Sequence, residues 1–275
     1  KVVSKGLNDF VEELRKYAIK CTIIYWDDTV IVVGAKQACM RYYGNEYFCL
    51  FKAHERKNKE GLDKDNILKL LSPYAVVEHD HNKVNYNPEY SFINAECCQH
   101  LLRDLKKVEI NIPERTWCKE GIKLFQEFDH KRNELISKGI DAFTPDEINE
   151  FIQKLDEVLL KGLEENENDD KPYYACKEKT LIYRIMEYRD NYIYWILDFD
   201  IPFTNNLSER NLRGIKSKMK VSGQFQNIER ASDYANIKSY IETCRIYGKN
   251  EYDCLSRLVE GNPYTFTELR ELKNK

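Results

Sequence analysis

The sequence predicts an α/β protein, and three observations carry that reading. Residues 21–51 alternate between β-rich runs and glycine turns, residues 113–198 carry apolar side chains at three- and four-residue intervals, and residues 200–225 form a late amphipathic helix. Strands first and helices afterwards describe a sheet that later helices must cover.

In chain order, residues 7–18 read as an amphipathic helix with Leu7, Phe10, Val11, Leu14 and Ala18 on one face. The period then changes. Residues 21–25 (CTIIY) are β-rich and are closed by Trp26, Asp27, Asp28 and Thr29; residues 30–33 continue the run. Residues 39–43 and 46–51 complete an antiparallel meander, with turns at Gly34 and Gly44-Asn45. Residues 54–64 read as a charged loop and residues 65–71 as a short helix that stops before Ser72-Pro73. A strand over 75–77 ends in Glu78, His79, Asp80, His81 and Asn82; a fifth strand over 92–98 leads into a helix over 99–110.

Helices are expected over 114–139, 145–162 and 176–197, with the acidic run 164–170 (EENENDD) as a solvated connector. The late helix begins in a polar turn, where Pro202, Thr204, Asn205 and Asn206 supply capping groups. At 100° per residue Glu209, Arg213, Lys216 and Lys220 share one face, while Leu212, Ile215 and Met219 form an apolar stripe beside it. Further helices over 228–247 and 252–260 stop at Gly248 and Gly261.

Composition narrows the function. A hydrophobic share of 42% with 32% charged residues describes a globular chain, and no apolar run approaches the roughly 20 residues that span a bilayer. The net charge of −3 excludes a polycation, so contact with nucleic acid has to come from local basic patches such as Arg210, Arg213, Lys216, Lys218 and Lys220. Nine cysteines, odd in number and scattered, point to reduced buried thiols in a cytoplasmic protein. Cys97 and His100 form a lone C-x-x-H with no second pair at zinc-site spacing.

Acids on separate elements carry the chemistry. Asp27 or Asp28 on the first strand, Asp80 after a later strand and Glu209 on the late helix can converge on a divalent metal. Magnesium accepts one or two carboxylates and completes its shell with water and substrate phosphate. Two ions about 3.5–4 Å apart suit in-line displacement at phosphorus. Strand alternation puts Asp27 on the face of Ile23 and Tyr25, and Asp28 on that of Ile24 and Trp26; alternation alone does not choose between them. His79 and His81 flank Asp80 on the opposite strand face, where His81 can touch substrate or tune the acid.

The block PFTNNLSERNLRGIKSKMKVSGQF (residues 202–225) resembles the C-terminal signature of transposases of the insertion-sequence-66 family. Asp27-Asp28-Thr29 is similar to that family's Asp-Glu-Thr, VVEHDHN (76–82) to its second-aspartate strand, and CCQHLLRDL (97–105) to its Cys-x-x-His followed by a helix start. The blocks fall in the family's order. Asp at position 28, where the family more often has Glu, is a departure.

The resemblance implies a ribonuclease-H-like mixed sheet with flanking helices and a large all-helical insertion before the last catalytic helix. Residues 1–20 would then be a leading helix and linker, 21–112 the first part of the core, 113–200 the insertion, and 201–275 the helices that complete the core. It further implies Asp27, Asp80 and Glu209 as catalytic metal ligands, with Asp28, Asn205, Asn206 and His81 in secondary roles. Mg2+ is the implied cofactor, with Mn2+ able to substitute. The implied reaction is DNA 3′-end cleavage and strand transfer on double-stranded transposon ends and target. A homo-oligomer on DNA, accessory proteins, a nucleoid location and no membrane complete the expectation. The family's N-terminal end-recognition region has no counterpart here, so the chain reads as a catalytic piece of a longer product.

Overall fold

The computed structural model describes residues 6–167 and 172–273. These form two compact units, one built from 1–94 with 205–275 and the other from 95–204.

The first unit is organised on a mixed five-stranded sheet. After helix α1 (Asn8–Ala18) come β1 (Ile23–Val33), β2 (Lys36–Gly44), β3 (Cys49–His54), helix α2 (Lys59–Lys64), β4 (Val76–His79) and β5 (Ile93–Glu96), and the sheet order is β3-β2-β1-β4-β5. β1 and β2 pair antiparallel from Tyr25↔Gly44 to Val33↔Lys36, closed by Gly34 (φ +53°) and Ala35 (φ +63°). Two consecutive positive φ angles make the primed turn whose twist matches a hairpin. β4 runs parallel to β1 on its other side, from Ile23↔Val76 to Tyr25↔Glu78.

Alternation sorts the two faces. Tyr25, Ile31, Met40, Tyr42 and Phe51 pack with Leu212 and Ile215 of helix α9 (Asn206–Ser222), whose position in the chain follows the second unit. Ile24, Trp26, Tyr43 and Val77 pack on the opposite side with Phe10 and Leu14 of α1. Helix α10 (Ile228–Ile246) lies along the sheet edge. There Thr243 Oγ1 accepts from Cys49 N (3.1 Å) and donates to Cys49 O (3.1 Å), while Ser239 Oγ accepts from Phe51 N (2.8 Å). These hydroxyls occupy backbone groups that an open edge strand would leave unpaired. Helices α11 (Glu251–Val259) and α12 (Phe266–Lys273) end the unit.

The second unit is helical. It contains α3 (Cys98–Asn111), α4 (Trp117–Ser137), α5 (Pro145–Asn166), α6 (Pro172–Glu187) and the short helices α7 (Arg189–Tyr192) and α8 (Tyr194–Leu197). Phe125, Phe128, Phe151, Trp195 and Phe203 form a ladder of ring contacts at its centre. Glu178, 1% exposed, is neutralised by Arg115 Nε (3.0 Å) and accepts from Trp117 Nε1 (2.6 Å) and Asn166 Nδ2 (2.7 Å). A buried carboxylate needs this full set of donors.

Several expectations change. The charged loop over 54–64 holds α2, begun by Asn58 Oδ1 accepting from Gly61 N, and the helix expected over 65–71 is a 3-10 turn at Leu68–Leu70. Asn66 at φ +50° interrupts any continuous helix there. The helix expected over 176–197 breaks after Glu187, where burial of Tyr192, Trp195 and Ile196 takes precedence over continuity. The acidic connector begins within α5, which runs to Asn166; its residues 168–170 lie outside the described residues. α12, unforeseen, is started from outside its own sequence: Glu13 of α1 accepts from Phe266 N (2.9 Å) and Thr267 N (3.2 Å). All nine cysteines are free thiols, seven of them buried. Among the described residues no helix is long and apolar enough to cross a membrane.

Candidate active site

Register brings the two aspartates together. The parallel ladder pairs Ile23 with Val76 and Tyr25 with Glu78, and Asp80, the first residue past the end of β4, acts with its charge on Asp27 of β1. The Asp27 face of β1 carries Tyr25 and Ile31 and meets α9. β1 does not end at the acids: its pairing with β2 carries it to Val33, whereas β4 stops at His79. Asp27 therefore sits mid-strand, at the point where β1 loses its parallel neighbour. Crevices outside strand ends are where α/β sheets bind ligands.

The electrostatics of Asp27 follow from this placement. Burial pushes its carboxyl up to about 7, and the neighbouring charges of Asp80 and Asp28 push the same way; the Asp28 N–H (2.7 Å) and the Lys216 charge oppose them. Burial disfavours the charged form and so does a like charge nearby. Asp27 therefore keeps its proton to a higher pH than an ordinary aspartate does.

Asp28 is different. It lies on the opposite face beside its cross-strand partner Arg41, and Lys57 Nζ reaches one carboxylate oxygen at 2.6 Å. Its side chain is 3% exposed against 53% for Lys57. Of the two adjacent acids, one has its own cation and the other faces a second acid. Nothing in the spacing of the charged loop marks Lys57 as that cation, since only the fold brings 57 to 28.

Asp80 follows β4 directly. His79, 1% exposed, fixes that corner with Nδ1 2.8 Å from the Asp80 carbonyl oxygen and Nε2 2.7 Å from Asn94 Oδ1. Tyr86 lies edge-on to the His79 ring and tilted against that of His81.

Glu209 occupies the first turn of α9, where the helix N-terminus favours an anion. Its side chain is 14% exposed, with Arg213 Nη2 at 3.6 Å. Asn205 holds the N-cap position without a side-chain cap bond; its Nδ2 donates instead to Trp26 O at 3.0 Å. The expected cap residue is thus a tether between α9 and β1, one residue before Asp27. Glu209, four residues on, shares the helix face of Asn205. Asn206 is the first helical residue and is exposed. At the far end Phe225 N donates to Val32 O (2.8 Å) and Gly34 N to Phe225 O (2.9 Å), so α9 is fastened along β1 at both ends.

The basic residues of α9 divide. Lys216 acts on Asp27, and Arg213 on Glu209. Lys218 lies over the rings of Phe225 (5.1 Å) and Tyr234 (5.2 Å), a cation–π placement that draws it towards the core. Arg210 and Lys220 are exposed. Asp80, Asp28 and Lys216 are thus the charges that act on Asp27, while Glu209 lies in the first turn of α9, the helix that Asn205 ties to β1, with Arg213 as its neighbour.

Carboxylate oxygens are the hard donors that a hard divalent cation takes. The raised Asp27 carboxyl is the observation that supports this fit.

The family model described as Transposase IS66 family matches residues 1–233. No curated protein and no solved structure matches the chain.

Proposed function

The chain belongs to the IS66 family of transposases, and from that premise we propose that its first unit is a DDE-type core that cuts and joins DNA. The single observation that carries the reading is the Asp27–Asp80 pair, Asp27 on β1 and Asp80 just past the end of the parallel strand β4, with Asp27 raised to about 7. The mixed sheet, in the order β3-β2-β1-β4-β5, supports a ribonuclease-H-like core.

In this reading Asp27, Asp80 and Glu209 would hold Mg2+, or Mn2+ in its place. The ion would supply the positive charge that lets phosphate oxygens carry developing negative charge. Arg213 orients the Glu209 carboxylate, and Lys216 offsets part of the acid charge at Asp27. Hydrolysis at an element end leaves a 3′ hydroxyl. That hydroxyl then attacks a phosphodiester of the target, forming one P–O bond as another breaks, with no covalent enzyme intermediate. Arg210 and Lys220, exposed on α9, contact DNA phosphates. The protein works as a homo-oligomer on paired double-stranded ends.

The test is metal-dependent joining of end-bearing duplex by the full chain. Asp27→Asn, Asp80→Asn and Glu209→Gln should each reduce joining at least about 100-fold, on the scale expected when charge stabilisation at the reacting centre is removed. Undiminished joining by Glu209→Gln would overturn the assignment.

A further inference from the structure

We propose that the groove between α3 and α4 of the second unit is a seat for the phosphate backbone of duplex DNA. It rests on the reading of DNA as substrate and adds a surface outside the acid site. The groove encloses about 580 Å³ and is lined by four cations, Arg103 and Lys106 from α3 with Lys119 and Lys123 from α4, against one acid, Glu109. In a chain whose net charge is −3 this is a concentrated positive surface.

Geometry suits a phosphate strand. The cations stand three residues apart on α3 and four apart on α4, so on each helix the two side chains leave one face from Cβ atoms about 5–6 Å apart. Duplex DNA carries a phosphate about every 3.4 Å of axis on each strand, so four cations in one groove can meet several phosphates at once. Gln99 and Gln126 add uncharged donors to the same groove.

All four cations are exposed. Lys106 Nζ lies 2.7 Å from Glu109, Lys123 Nζ 3.6 Å from Glu127, Lys119 Nζ donates to Pro113 O at 2.7 Å, and Arg103 Nη1 is 3.1 Å from His100 Nε2. Exposed ion pairs of this kind hold their members loosely. Phosphates can replace them while leaving the helix cores intact.

The experiment is anisotropy of a short fluorescent duplex with the full chain across a salt series, in chelator so that nothing is cut. Replacing all four groove cations by Gln should make the slope of log K against log salt shallower by about 3 to 4, and Lys106→Gln or Lys119→Gln alone by about 1. A charge-matched control, Lys107→Gln with Lys131→Gln, Lys138→Gln and Lys154→Gln, should leave the slope near that of the unaltered chain. Circular dichroism verifies that both sets fold. Equal slopes for the two sets, salt-independent binding by the unaltered chain, or preference for single-stranded RNA would overturn the proposal. If the groove slope is present but no protein joins DNA, the catalytic reading fails and the groove stands.

Discussion

Lys57 Nζ lies 2.6 Å from a carboxylate oxygen of Asp28, while Asp27, one residue earlier on the same strand, is acted on by the charge of Asp80. Two chemically identical neighbours therefore carry different electrostatic burdens. Asp28→Asn should retain joining within about tenfold and lower stability by about 1 kcal/mol through loss of the lysine pair. Asp27→Asn should lose joining and keep its fold. Joining assays beside thermal unfolding separate the two, and the reverse pattern would assign the site to Asp28.

The raised carboxyl of Asp27 makes stability depend on pH in a defined direction. Its folded value, about 7, lies above the ordinary 3.8, so between these the folded chain binds a proton that the unfolded chain has released. This contribution is complete below about pH 4 and is lost as pH rises through 7. Asp27→Asn should therefore stabilise the metal-free protein at pH 8 by about 1 to 4 kcal/mol and leave it nearly unchanged at pH 4. Unfolding midpoints at the two pH values measure the difference.

A cation in place of that proton should reverse the penalty. At pH 8, Mg2+ or Mn2+ at about ten times its dissociation constant should add about 1.4 kcal/mol, and chelator should remove it. Neither effect should survive Asp27→Asn with Asp80→Asn. Calorimetric titration reads the same site directly.

Asn205 ties α9 to β1 through its bond to Trp26 O. Asn205→Ala leaves a buried carbonyl without that donor and should cost about 1 to 3 kcal/mol. Hydrogen exchange should quicken first in the opening turn of α9, around Glu209. Uniform exchange across the chain would mean the bond has no local role.

Much of this was legible in the chain itself. Local physics sets helix starts, the glycine turn at Gly34 and the strand runs, because period and turn chemistry act over a few residues. The order Asp27, Asp80, Glu209 and the block at 202–225 identify the family without any coordinates. Where short-range signals met long-range partners, they failed. Asn205 reads as a cap and is a tether, Lys218 reads as part of the basic patch and lies over two rings, and α12 takes its first-turn acceptor from Glu13 of α1.

The sequence by itself determined an α/β chain with its acids on separate elements, since periodicity and residue type are local properties. Only the tertiary structure decided which aspartate is acted on by Asp80 and which pairs with Lys57. Alternation gives Asp27 and Asp28 opposite faces but does not say what lies opposite each. That depends on β4 being parallel to β1 and on Lys57 returning to the other side, and both are set by packing between residues far apart in the chain.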